Sequence, residues 1–218
     1  MSDTFIEAPA EPADNKLQIV AALLLGLAAT FTALSAYNAA LKDGEALQGY
    51  TNSTRTLNDA NAFYAQGNTT AAQDQQLFVA YATATQEGNA DLSEYLTTLM
   101  SENLQAAVDW WQNSDEAITP FDTDAEDNPY AIEDFATAAG LEEDAKKFYA
   151  DGAAADDNGD KYELSTVLMA LTLFFGGIST LFSRRKVAVS LLALGTVTLV
   201  LGGIQFASGV ADFKFLPL

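Results

Sequence analysis

Residues Leu164–Phe182 read LSTVLMALTLFFGGISTLF, residues 183–186 read SRRK, and residues 187–211 read VAVSLLALGTVTLVLGGIQFASGVA. Neither apolar run contains a charge. As helices rising about 1.5 Å per residue, both are long enough for a hydrocarbon core about 30 Å thick. Four polar residues are too few to carry the chain along a membrane surface and back, so the expected structure is a tight two-span hairpin. The rest of the chain is placed relative to it.

Working outward, a third apolar run lies at Leu17–Ala36 (LQIVAALLLGLAATFTALSA), flanked by Lys16 and Lys42. It is expected to be an uncleaved anchor rather than a secretory signal. The segment before it is acidic, the run is long, and Leu34 is poorly suited to the −3 position of a cut after Ala36. Residues 1–15 hold two prolines and four acids and are expected to be a disordered acidic tail. The expected organisation is thus a tail (1–15), a first span (16–41), an acidic insert (42–162), a second span (163–183), a basic turn (184–186), a third span (187–211) and a short tail (212–218). Arg184, Arg185 and Lys186 form the densest basic cluster, and it lies in a very short loop. By the positive-inside rule that loop and residues 1–15 belong on the cytoplasmic side. Residues 42–162 are then extracytoplasmic, in a multi-pass protein of the cell membrane.

The chain of 218 residues carries ten Lys and Arg against thirty Asp and Glu, a formal charge of −20. Twenty-four of the thirty acids lie between Lys42 and Tyr162. Such a surface repels nucleic acid and anionic lipid and favours cations, cationic partners or high salt. With no Cys and no His, disulfides, thiolate chemistry, His-ligated metals and Ser-His or Cys-His nucleophiles are excluded. Only oxygen-ligand ions such as Ca2+ or Mg2+ remain as cofactors.

The insert carries helical periodicity and no alternating strand pattern, so the fold class is all-α: three transmembrane helices and an extracytoplasmic helical bundle. Leu47, Tyr50, Thr54, Leu57, Asn61 and Tyr64 recur in three- and four-residue steps, as the core face of a helix continuing the first span. Gly67-Asn68 is expected to end it, and Thr70 with Gln73 to open a second helix. Gly88-Asn89 ends that one. Asp91 with Glu94 opens a third, with a stripe from Leu92 through Leu96, Leu99, Asn103 and Ala106 to Trp110. Shorter helices are expected near Ala131–Ala139 and Glu142–Ala154, with Phe135, Leu141, Phe148 and Tyr149 in the core. The Asp156-Asp157-Asn158-Gly159-Asp160 stretch reads as a turn into the second span.

Among features able to carry chemistry, Asp122, Asp124, Glu126 and Glu133 fall at the first, third, fifth and twelfth positions of an EF-hand loop. Asp127 replaces the glycine of the sixth position, and Pro129 occupies the eighth. A divalent-cation site is therefore a candidate, set against a solvated acidic loop. The spans hold no ionisable residue, which argues against a proton relay or ion-coupled transporter. Gln205, the most polar residue deep in a span, suits a helix–helix hydrogen bond. Gly176 with Thr180 and Gly203 with Ala207 have the small-xxx-small spacing of close helix contacts. Trp110 and Trp111 cannot both face the same core and are candidates for an interface. Asn52-Ser53-Thr54 and Asn68-Thr69-Thr70 match the glycosylation sequon.

The layout has an acidic tail, a span ending Ala-Leu-Ser-Ala-Tyr-Asn-Ala-Ala-Leu (33–41), a helical insert and a hairpin around Ser-Arg-Arg-Lys. It resembles a group of uncharacterised prokaryotic three-span membrane proteins that share a domain of unknown function. The resemblance covers the three spans and implies topology only. The expected function is a non-enzymatic accessory or scaffold subunit of a larger membrane assembly. Its partners would be membrane lipid and other membrane subunits or further copies of itself, with no nucleic acid. An extracytoplasmic sensor or ligand-binding protein and a homo-oligomeric cation channel are the alternatives.

Overall fold

A computed structural model describes residues 15–114, 119–122, 125 and 127–211. They form five helices: α1 (Asn15–Gln86), α2 (Ala90–Leu99), α3 (Glu102–Gln112), α4 (Glu133–Ser179) and α5 (Arg185–Ala211). No strand occurs among the described residues. The chain divides into a terminal unit, drawn from the described residues of Met1–Tyr50 and Ala150–Leu218, and a middle unit, Thr51–Tyr149.

In the terminal unit α1 and α4 run antiparallel. Gly176 lies against Leu24 and Leu25, the Ser165 hydroxyl meets that of Ser35, Gly159 lies beside Asp43, and Gly152 meets Ala46 and Tyr50. A Cβ on Gly152 would stand 3.1 Å from the Ala46 carbonyl oxygen and 3.2 Å from the Tyr50 nitrogen. Only a residue without a side chain lets two helix backbones come this close. α5 packs antiparallel to α4, with Gly202 against Leu168 and Met169 and Gly209 against the ring of Tyr162.

The buried faces share one rule, a small or hydroxyl residue every seven positions. On α1 these are Ala21, Ala28 and Ser35; on α4, Ser165, Thr172 and Ser179; on α5, Gly195, Gly202 and Gly209. A seven-residue recurrence keeps one seam of a helix on its neighbour. Leu24, Tyr162, Met169 and Leu192 pack inside with them, while many other large apolar residues point the other way. Ile19, Leu23, Val167, Phe174, Val197 and Ile204 are all more than half exposed. α1, α4 and α5 are each long and apolar enough to cross a membrane, and the most apolar windows are only 22%, 33% and 22% buried.

The middle unit is built on Met100, Leu104 and Val108, with Leu77, Phe78, Tyr81, Phe121 and Tyr130 packed around them. Gly88, at φ +73°, makes the turn after α1, and Asn89 caps α2 by accepting from the Leu92 amide. Ser101 caps α3 through the Leu104 amide. Gln105 Nε2 donates to the Met100 and Thr97 carbonyls at the end of α2. These two residues divide the segment read as one helix from Leu92 to Trp110, and Asn89 rather than Asp91 is the cap that opens it.

Four other expectations are overturned. Gly67-Asn68 does not end a helix, nor do Thr70 and Gln73 open one, because α1 runs through all four. Gly67 is instead buried against Phe135, whose ring would lie 2.8 Å from an added Cβ. The separate helices near 131–139 and 142–154 and the turn at 156–160 are one helix, α4. Asn158 and Gly159 are buried in it, so packing overrides the turn-like composition. The face Leu47, Thr54, Leu57 and Asn61 is exposed, while Ala46, Ser53, Ala60 and Gly67 are buried. Phe148 and Tyr149 are exposed as well; Phe135 and Leu141 are half-buried.

Candidate functional site

The chemistry-bearing groups of the middle unit gather where the 119–130 loop returns to α1 and α3. Asn128 braces that loop from inside. Its Nδ2 donates to the carbonyls of Pro120 (3.1 Å) and Asp122 (2.7 Å), and its Oδ1 accepts from the Tyr130 amide at 2.9 Å. Pro120 is buried beneath it. Asp127, at the position where an EF-hand loop has glycine, adopts φ 63°, a conformation Asp tolerates better than most residues.

Of the candidate metal ligands, Asp124 and Glu126 lie outside the described residues. Asp122 is half-buried at the loop, and Glu133 is exposed in the first turn of α4. There its charge complements the positive end of the helix dipole. Among the described residues no group of three acidic side chains is placed to hold a cation. The acids of 156–160 are spread along α4, where Asp156 accepts from the Tyr50 hydroxyl at 3.4 Å.

The loop delivers Tyr130 to a buried carboxylate. Asp74, on α1, is 8% exposed, and its Oδ2 accepts from the Tyr130 hydroxyl at 3.1 Å. Around them runs a chain of edge-on rings: Tyr130 on Phe121 (4.9 Å), Phe121 on Phe78 (5.5 Å) and Phe78 on Trp111 (5.1 Å). Trp110 is half-buried beside it in sequence. Burial, and then the neighbouring Asp74 charge, push the Tyr130 phenol well above the ordinary tyrosine value. Tyr130 thus stays protonated when folded and keeps its one proton on Asp74.

Free tyrosine ionises near 10, so the stability contributed by the bond is complete below that value. It is lost progressively as pH rises above about 10, where unfolded Tyr130 gives up its proton and the folded residue does not. Tyr130→Phe is expected to destabilise the middle unit by about 2 kcal/mol, since a buried carboxylate loses its donor. It should also remove part of the alkaline loss. Unfolding followed by tryptophan fluorescence from neutral pH into this alkaline range checks both, because Trp110 and Trp111 lie in the middle unit.

In the terminal unit the polar groups satisfy one another. The Ser165 hydroxyl donates to the Gly202 carbonyl at 2.9 Å, so its 2.9 Å contact with Ser35 requires Ser35 to donate. One run of hydroxyls therefore ties α1, α4 and α5 together. A second pair, Thr172 with Thr198 at 2.8 Å, joins α4 to α5. No motif of large apolar residues marks these positions; their signal in the sequence is the hydroxyl recurring every seven positions from Ser165 to Ser179. Gln205, expected to bridge helices, contacts Ser208 on its own helix at 3.5 Å.

The small-residue pairs divide. Gly176 is buried against Leu24 and Leu25, and Thr180 is exposed in the turn, its hydroxyl on the Gly177 carbonyl. Gly203 has nothing within 4 Å of an added Cβ, and Ala207 is exposed. Arg184, Arg185 and Lys186 are exposed at the turn into α5. The chain matches no family model, no curated protein and no solved structure.

Proposed function

We propose that the chain is a multi-pass protein of the cell membrane, with α1, α4 and α5 supplying three spans. In this reading the basic turn at 184–186 is cytoplasmic and residues 42–162 are extracytoplasmic. The protein acts there as a non-enzymatic accessory or scaffold subunit of a larger membrane assembly. The charge distribution supports the orientation, since three of the ten basic residues stand together at the turn and most acids lie in the insert.

One observation carries the subunit role. The middle unit leaves large apolar side chains in the open: Leu57 is 41% exposed, Val79 62%, Tyr95 60% and Leu99 53%. Tyr95 and Leu99 lie one turn apart on α2, and an exposed apolar strip of this kind beyond the spans is what a partner protein covers. The test is purification of a tagged copy from its own host in mild detergent, followed by native mass measurement and protein identification. Other membrane proteins in fixed stoichiometry are expected. A lone monomer or a pure homo-oligomer overturns the reading.

A further inference from the structure

We propose that the face of α2 bearing Leu92, Tyr95 and Leu99, with the groove beside it, receives a basic amphipathic helix of a partner protein. This deepens the accessory-subunit reading and rests on it. α2 is ten residues long, and none of them is buried. Isolated helices of that length are marginal in water. This one is pinned at its ends, by the Asn89 cap and by Gln105 on its final carbonyls, and its middle is left open. Leu92, Tyr95 and Leu99 follow one another in steps of three and four, on one face, at 42%, 60% and 53% exposure. Leu99 also lines a shallow groove of about 420 Å³ with Gln73, Gln76, Leu77 and Ala80 of α1. An apolar ridge beside a groove rimmed by amides suits a helix laid lengthwise.

Charge selects the occupant. Residues 56–145 contain eighteen Asp and Glu and neither Lys nor Arg. Asp91 and Glu94 stand on α2 itself, Glu87 and Glu102 at its two ends, and all four are exposed. A second copy of this chain would bring the same sign of charge to the contact, and so would an anionic lipid surface. A helix with leucine-like residues on one face and Lys or Arg along its flanks satisfies both the ridge and its rim.

The experiment uses the full chain in nanodiscs of zwitterionic lipid, with empty nanodiscs as the blank. The probes are a dye-labelled leucine–lysine peptide with its leucines on one helical face, and an isomer of the same composition with its leucines spread around the helix. The facial peptide is expected to bind about tenfold tighter than the isomer. The preference should vanish in Tyr95→Ser/Leu99→Ser, whose altered side chains are exposed, and persist in Leu57→Ser. Equal binding of the two peptides overturns the proposal, and so does a preference unchanged in Tyr95→Ser/Leu99→Ser. Tryptophan fluorescence verifies that the variants are folded.

The accessory role fails separately, by a lone wild-type chain in the native-mass measurement. Stoichiometric company that survives intact in Tyr95→Ser/Leu99→Ser keeps that role and removes α2 from it.

Discussion

Gly152→Leu is expected to destabilise the terminal unit by about 3 kcal/mol, at the upper end of what overpacking costs. The neighbours of Gly152 are the Ala46 carbonyl, the Tyr50 amide nitrogen and the Tyr50 ring, all within 3.2 Å of an added Cβ. Two of these are backbone atoms in the middle of α1 and cannot turn aside as a side chain does. A leucine there must push α1 and α4 apart. The contacts on either side, Gly159 with Asp43 and Ser165 with Ser35, loosen with it. Helix content followed through a titration with denaturing detergent should show the midpoint falling. Gly44→Ala supplies the contrast. Gly44 lies in the same helix with nothing within 4 Å, so removing its backbone freedom should stabilise by about 0.5–1 kcal/mol. Equal effects at the two positions would show that glycine content matters and close approach does not.

Leu104→Ala is expected to destabilise the middle unit by about 4 kcal/mol, within the range for truncating a buried leucine. Leu104 is 0% exposed and shares a buried cluster with Met100 and Val108. Phe78, Tyr81, Phe121 and Tyr130 lean on that cluster from outside. The neighbours that could collapse into the cavity are the bulky rings around the cluster, which have little freedom to move. Trp111 lies edge-on to Phe78, so its emission reports the loss directly during urea unfolding. A shift under about 1 kcal/mol would mean that the three-residue cluster is not what holds this unit together.

The three apolar runs were legible because hydropathy over twenty residues is a strong signal that context rarely reverses. The turn at Gly88-Asn89 was legible too, since a positive φ and an Asx cap each demand particular residues. The interior of the insert was not. Along α1 and α4 its buried faces carry small residues such as Ala46, Ser53, Ala60, Gly67, Ala138 and Ala145, whereas the periodic large apolar residues Leu47 and Leu57 face outward. Gly67, Gly152 and Gly159 look like breaks when propensity is weighed alone. Each is in fact a point where two helices touch, and such contacts hold glycine in a helix against its propensity. Ser101, which separates α2 from α3, was hidden because the apolar stripe continues in phase on both sides of it. The carboxylates of 122–133 read as a cation motif, yet among the described residues no three acidic side chains are placed to hold a cation. The Asp74–Tyr130 bond joins residues far apart in sequence and carried no local mark.

The seven-residue seam makes helix length a discrete variable. One residue inserted into α1 between Ala28 and Ser35 would turn everything beyond it by about 100°. Ser35 would swing away from Ser165, and large outward residues would be driven into the contact. Seven residues inserted there would restore the rotation yet slide α1 past α4 by about 10 Å, pairing each small residue with the wrong one. Only a heptad gained or lost by facing stretches of α1, α4 and α5 together, such as Ala28–Leu34 with the turns opposite it, returns every small residue to its partner. Variants of this chain in which these helices differ in length should therefore differ in all three at once, and by sevens.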